Sequence, residues 1–201
     1  MTVERDDLIH TLTERTPSQP RVACFDFISD EVFHAAVTDA LHAGELRDTD
    51  GKRLEALSPN AVENALAARK LPLRATTGSA GYDFFSPVSF RLMPGDSVTV
   101  LTGVRCAIDP GWVLVIAPKS GKGSKFRVML RNTLAFIDSD YFFSDNEGHI
   151  MLKLINDNYD GRPMDVRAGD ALMQGLFLPY GVALDDDARG VRNGGFGSTV
   201  R

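Results

Sequence analysis

The chain of 201 residues is poor in cysteine and has no long apolar run. Two cysteines, Cys24 and Cys106, are too few for a disulfide framework or a zinc site, and both stand among apolar residues, so we expect reduced thiols. Residues 1–7 are acidic and lack the apolar core of a signal peptide. Residues 112–118, the longest apolar run, are too short to span a membrane. These absences predict a cytoplasmic protein with no membrane partner.

Charge is unevenly distributed along the chain. The formal net charge is −5; residues 1–70 carry 8 Lys or Arg and 13 Asp or Glu, whereas the remaining residues carry 14 of each. An acidic N-terminal part argues against nucleic-acid binding. A neutral C-terminal part can still gather positive charge in one cleft for a small anion. The composition, 43% hydrophobic and 24% charged, is that of a soluble globular protein.

Residues 1–70 have the pattern of a helical extension. A helix is predicted from Thr2 to Arg15, a second after Ser29 with an apolar stripe that stops before Gly44, and a third over residues 61–69. Nothing in this part has catalytic spacing, and scattered histidines do not predict a metal site. The lengths suit a helical extension over 1–70 and one further domain over 71–201.

From Leu71 onward, short β-rich runs alternate with Gly and Pro turns. Many short strands at this spacing predict a mainly β fold, either a barrel or a double-sheet jelly roll. The expected strands cover residues 98–101, 104–108, 112–117, 126–130, 150–155 and 171–178.

The stretch from Asn132 to Tyr141 carries the most chemistry. It reads as a strand that runs into an acidic turn at the mouth of a sheet. Asn132 offers a donor and an acceptor to the edge of a base, Asp138 can align a water for attack, and the ring of Tyr141 can pack against a sugar. A nucleotide-cleaving site is therefore predicted here, completed by the Gly-rich residues 194–199.

Three other short stretches have weaker signals when each is taken alone. Residues 79–83 place Asp83 just past a glycine bend, and residues 169–174 are a turn that enters a strand. Residues 118–124 combine glycines, serine and lysine, which can cradle phosphates. This last stretch is not a P-loop, because the Gly-Lys-Ser/Thr order is absent and no helix is expected to follow.

Taken together and in order, these five stretches closely resemble the motifs of the trimeric deoxyuridine triphosphatase (dUTPase) family. The resemblance covers residues 71–201 and is closest to the phage and Gram-positive bacterial subgroup. Two features point to that subgroup: residues 71–74, which lead into the first motif, and the longer insert over residues 142–150. The resemblance implies a dUTPase-like jelly-roll or distorted β-barrel core.

The resemblance also implies a reaction and a site. Members of the family hydrolyse dUTP to dUMP and pyrophosphate with Mg²⁺, which keeps uracil out of DNA and supplies dUMP. Asp138 matches the catalytic residue that orients water, Tyr141 the ring that packs under deoxyribose, and Asp83 the carboxylate that holds a water on Mg²⁺. The further substrate contacts implied are Asn132 for uracil, Phe196 for stacking, and Lys119, Ser120, Gly121, Gln174, Arg192, Gly197, Ser198 and Thr199 for the phosphates.

Some positions depart from the family pattern. Lys119 stands where Arg is usual, which keeps the charge but loses the two-pronged grip on phosphate. Ala135 replaces a common glycine and tightens the expected uracil pocket. Arg189 and Arg192 both lie near the Gly-rich tail, and Arg192 is favoured as the phosphate ligand.

The family forms homotrimers whose active sites draw on neighbouring subunits, with the tail closing over bound nucleotide; a homotrimer is therefore expected here, in a bacterial or phage-infected cell. One alternative is a nucleotide-gated regulatory binding protein, with a protein partner on residues 1–70. The simpler view of that part is extra helices packed on the barrel. A dCTP deaminase shares the fold, but Tyr141 and Phe196 argue against it.

Overall fold

The computed structural model describes residues 19–190 and residue 192. The helices are α1 (Asp30–His42), α2 (Ala61–Ala68) and α3 (Ser120–Phe126), with a 3-10 helix over Ser139–Phe143. The strands are β1 (Ala23–Phe27), β2 (Tyr82–Phe85), β3 (Phe90–Leu92), β4 (Ser97–Leu101), β5 (Val104–Ile108), β6 (Trp112–Pro118), β7 (Val128–Leu130), β8 (Ala135–Ile137), β9 (Met151–Asn156), β10 (Met164–Val166) and β11 (Ala171–Pro179).

These strands form small antiparallel sheets. The largest has the order β2-β11-β6-β8, and a three-stranded sheet has the order β4-β9-β7. Two further pairs, β1 with β5 and β3 with β10, complete the arrangement. The mainly β fold predicted from the sequence is confirmed, and the expected strand over residues 104–108 has the observed bounds.

The main hydrophobic core lies among these sheets. Strand β9 alternates buried and half-buried residues, as period-2 side-chain orientation requires, so that Leu152 and Leu154 point inward and are fully buried. Phe84, Leu114 and Ile116 from the largest sheet are also fully buried. Each such side chain contributes about 1.5–3 kcal/mol relative to an exposed position.

Helix α1 begins and packs as its sequence predicts. The Ser29 hydroxyl accepts a hydrogen bond from the Val32 amide, which satisfies one of the free N–H groups of the first turn. Phe33 and Val37, one turn apart, are buried in a second core together with Ala65 of α2 and residues of β4 and β9. Helices α1 and α2 therefore pack together against β4 and β9. In the described part of the chain, no helix combines the length and apolarity needed to cross a membrane.

Between the first two predicted helices the structure has a strand, β1, that the helical pattern of residues 1–70 does not predict, and the helix predicted over residues 2–15 lies outside the described residues. Strand β1 pairs along its length with β5, and Phe25 packs edge-on against Phe84 with ring centroids 5.8 Å apart. The N-terminal part thus contributes a strand to the mainly β fold. The boundary drawn at residue 70 stays a prediction.

Candidate active site

Strand β8 carries Asp138 to the surface. Ala135 and Ile137 are buried, whereas Asp138 follows the strand end, at the N-cap position of the 3-10 helix. The Asp138 carbonyl accepts a hydrogen bond from the Tyr141 amide at 3.2 Å, and its side chain is about half exposed (51%). An accessible carboxylate on a rigid strand end can orient a water molecule.

Arg192 binds this acidic turn. Its Nη2 donates to Asp138 Oδ2 at 2.5 Å, and its Nε donates to Asp140 Oδ1 at 2.9 Å. The guanidinium carbon also lies 5.8 Å from the centre of the Tyr141 ring. One cation therefore contacts two carboxylates and the aromatic ring, in the fork geometry that suits arginine. Asp140 has no role in the predicted site, because nothing in the sequence links it to Arg192.

Tyr141 is buried, with 6% of its surface exposed. Burial raises the pKa of its phenol above the usual range, and this effect is opposed by the hydrogen bond from Asn146 and the charge of Arg192. The phenol is therefore neutral, and its hydroxyl donates to the His149 carbonyl at 2.9 Å.

Asn132 lies in the tight turn between β7 and β8. Its carbonyl accepts a hydrogen bond from the Leu134 amide at 2.8 Å, and the next residue, Thr133, has a φ of +71°. The Asn132 side chain is exposed. It is thus free to pair with a base edge from a turn that is fixed to β8.

A second group of predicted residues gathers on β2, β11 and β6. Gln174 pairs with Asp83 on one side and with Ala117 on the other, so three motifs meet in one row across the sheet. Lys119 Nζ donates to Asp83 Oδ2 at 2.5 Å, and Gln174 Nε2 donates to the Pro118 carbonyl at 3.2 Å.

Helix α3 begins in this row and occupies most of the stretch over residues 118–124, where the sequence predicts no helix; strand β7 follows it. Gly123 N donates to the Lys119 carbonyl at 2.8 Å, and Lys122 Nζ contacts Asp170 Oδ2 at 3.4 Å. The two glycines of α3 have a poor helix propensity, so the local sequence does not predict this helix. Ser120 and Gly121 are exposed at the start of the helix.

The two groups are well separated within one chain. Asp83 on β2 and Asp138 after β8 are three strand spacings apart across the sheet. Along the strands they are offset by four residues: Asp83 lies in the row of Ala117, and Asp138 lies one residue beyond the row of Leu114. From standard strand dimensions this is roughly 20 Å. Within residues 19–190 and 192, no hydrogen bond or ion pair joins the two groups. One chain therefore does not direct both groups at the same phosphate.

The Gly-rich tail lies outside the described residues, so the predicted roles of Phe196, Gly197, Ser198 and Thr199 stay predictions. Asn146 is a residue that the motifs did not single out, although the Asn-Glu-Gly run is a turn signal. In the described part of the chain, no three His, Cys, Asp or Glu side chains are grouped as a metal site.

Comparison with known proteins identifies the family. The sequence model of the dUTPase family matches residues 67–200. The deoxyuridine 5'-triphosphate nucleotidohydrolase of Lactococcus lactis is 33% identical over 136 residues, which are 66% of this chain and 89% of that protein. The enzyme of the same name from Wolinella succinogenes is 34% identical over 154 residues, covering 73% and 92%. Since both identities are similar, the subgroup within the family stays a prediction.

Solved structures agree with this result. The dUTPase from Streptococcus mutans has 33% sequence identity and a TM-score of 0.51, covering 56% of this chain and 88% of that chain. The dUTPase from phage phi11 of S. aureus has a TM-score of 0.51 at 21% identity, covering 61% and 91%, and shares the fold. The motifs, the mainly β fold and these matches lead to one conclusion: the chain belongs to the dUTPase family.

Proposed function

We propose that this chain hydrolyses dUTP to dUMP and pyrophosphate, with Asp138 as the residue that orients the attacking water. The observation that carries the proposal is the half-exposed Asp138 carboxylate, fixed at the end of β8 beside Tyr141 in a chain that matches the family over residues 67–200. Relatives at 33–34% identity are named for this reaction. A regulatory binding protein and a dCTP deaminase are not favoured.

In the proposed reaction, the Asp138 carboxylate accepts a hydrogen bond from water and aims its oxygen at the α-phosphorus. The bond to the bridging oxygen of pyrophosphate breaks as the new P–O bond forms, and Asp138 accepts the water proton. Phosphoryl transfer depends mainly on position and charge neutralisation, so one carboxylate suffices for the aiming.

The residues on β2, β11 and α3 suit the phosphates. Lys119 supplies positive charge, and Ser120 and Gly121 expose a hydroxyl and a backbone N–H at the start of α3. Arg192, which the acidic turn holds in this structure, is the proposed further phosphate ligand. Each of these groups donates hydrogen bonds, as a triphosphate requires.

Magnesium fits this arrangement through substrate. Mg²⁺ takes phosphate oxygens and keeps several waters, so a single carboxylate such as Asp83 can serve by holding one water. When bound, the ion would neutralise and orient the phosphates. Asp83 is mostly buried (16% of its side chain exposed) and paired with Lys119, so its oxygen is held in a fixed place.

The separation of Asp138 from Asp83 supports a site shared between subunits, and we propose a homotrimer in which one chain contributes Asp138 and another Asp83. The test is to assemble Asp138→Asn and Asp83→Asn chains together. With random mixing, about a quarter of the shared sites contain both native residues, so activity returns to about a quarter. Mixed assemblies that stay inactive would show that both residues act within one chain.

The proposed reaction is tested by pyrophosphate release from dUTP, dCTP, dTTP and UTP, with Mg²⁺ and with a chelator. We expect turnover of dUTP alone and only with Mg²⁺. Asp138→Asn should abolish turnover and leave dUTP binding intact. Asp145→Asn is the matched control, since Asp145 is exposed and, within the described residues, makes no hydrogen bond. Turnover by the Asp138→Asn variant would rule out the assigned role.

A further inference from the structure

The hydroxyl of Tyr141 is held from two sides by the insert, residues 142–150. It donates to the His149 carbonyl at 2.9 Å and accepts from Asn146 Nδ2 at 3.0 Å. Because the hydroxyl lies at the far end of the ring, these two bonds fix the depth of the ring and the tilt of its long axis. The ring face presented at the site is therefore set by residues that follow the third motif.

Asn146 also holds the insert together. Its Oδ1 lies 2.7 Å from Ser144 Oγ and accepts from the Gly148 amide at 3.2 Å. Ser144 Oγ lies 2.7 Å from the Tyr141 carbonyl as well. The amide side chain of Asn146 thus uses its oxygen for the loop and its nitrogen for the tyrosine, and the two ends have separable functions.

Glu147 connects the insert to helix α1. Its two carboxylate oxygens accept hydrogen bonds from Ser29 N at 2.7 Å and Ser29 Oγ at 2.8 Å. Ser29 is the N-cap of α1. A second contact lies one turn further along, where the rings of Phe33 and His149 are 6.1 Å apart. The N-terminal part therefore touches the insert on the residues that flank the tyrosine anchor.

We infer that Asn146 positions Tyr141 and thereby sets the preference of the site for 2′-deoxyribonucleotides over ribonucleotides, and that Ser29 supports this position through Glu147. The inference rests on the proposed function, in which the Tyr141 ring packs under the deoxyribose and leaves no space for a 2′-hydroxyl. A ring free to tilt would admit that hydroxyl. The specificity of the site then depends on side chains that do not touch the nucleotide.

The test separates the two ends of the Asn146 side chain. Asn146→Asp keeps an oxygen for Ser144 and Gly148 but removes the donor to the Tyr141 hydroxyl. We expect the ratio of the Kd for UMP to the Kd for dUMP to fall by about two- to tenfold, the effect of one hydrogen bond. Asp145→Asn, a carboxylate change in the same insert, should leave this ratio unchanged.

A spectrophotometric titration reports the position of the tyrosine without any turnover. In Asn146→Asp the phenol loses a donor, so the pKa of Tyr141 should increase further; Tyr141→Phe identifies the signal among the four tyrosines. Glu147→Gln, on the outer side of the insert, should also lower the ratio of the Kd for UMP to the Kd for dUMP, but by a smaller factor than Asn146→Asp. A changed titration with an unchanged ratio would overturn the inference. Absence of dUTP turnover in the parent protein would instead refute the proposed function, since the binding ratio is measured separately.

Discussion

Gly148 and Gly161 offer a matched pair for testing how rigid the insert is. Both have a positive φ, +73° and +75°. A Cβ at Gly148 would lie 2.8 Å from Phe142 Cα and 2.9 Å from the Tyr141 carbonyl oxygen, whereas a Cβ at Gly161 would meet no atom within 4 Å. An alanine therefore costs backbone strain at both positions and a steric clash at Gly148 alone.

The magnitudes follow from these two effects. Left-handed backbone costs an alanine about 1–2 kcal/mol, so Gly161→Ala should lower the free energy of unfolding by that amount. The clash at Gly148 adds about 1–3 kcal/mol, because backbone atoms cannot rotate away as a side chain can. Gly148→Ala should therefore cost about 2–5 kcal/mol, and it should displace Tyr141.

The assay is urea unfolding of the parent and both variants at one protein concentration, since association would make stability depend on concentration. The quantity compared is the difference between the two changes in free energy. Equal losses for Gly148→Ala and Gly161→Ala would refute the reasoning, because they would show that the insert relaxes around an added methyl group.

Three further outcomes are expected. Burial and the charge of Arg69 lower the pKa of His149 to about 4, whereas an unfolded histidine titrates near 6.5. Between these two pH values the unfolded state binds more protons, so the free energy of unfolding should fall as the pH decreases from about 6.5 to about 4. The fall should be smaller in His149→Gln. A thiol reagent should label the exposed Cys24 in the native protein and Cys106 only after unfolding, because burial raises the pKa of Cys106 to about 12; rapid labelling of both would contradict this. Lys119→Arg should lower the KM for dUTP by about fivefold through a two-pronged contact with phosphate, and an unchanged KM would show that no two-pronged contact forms there.

The mainly β fold and most strands were predictable because their signals are local. Helix α1 likewise has its cap and its apolar stripe within one short stretch. Strand β1 has a local signal too, since Phe25 and Phe27 alternate with exposed residues. Its partner β5 is about 80 residues away, however, and no local pattern shows that pairing.

In the candidate site, too, the sequence does not show which residues come into contact. The motifs single out Asp83 and Lys119, but their 2.5 Å contact depends on the strand order β2-β11-β6, which sequence spacing does not reveal. Helix α3 forms although its two glycines have a poor helix propensity, and its Lys122 contacts Asp170. Residue types were therefore predictable, and their partners were not.

The cations proposed to bind the triphosphate form ion pairs with carboxylates in this structure. Lys119 is paired with Asp83, and Arg192 is paired with Asp138 and Asp140. Each cation proposed for phosphate thus already contacts a carboxylate, which holds its side chain close to the site. Binding of the triphosphate would exchange one anionic partner for another, so that little side-chain entropy remains to be lost when the nucleotide arrives. Under the proposed function these carboxylates hold the cations in place for phosphate, so we expect a change at Asp83 to weaken phosphate binding although Lys119 keeps its charge.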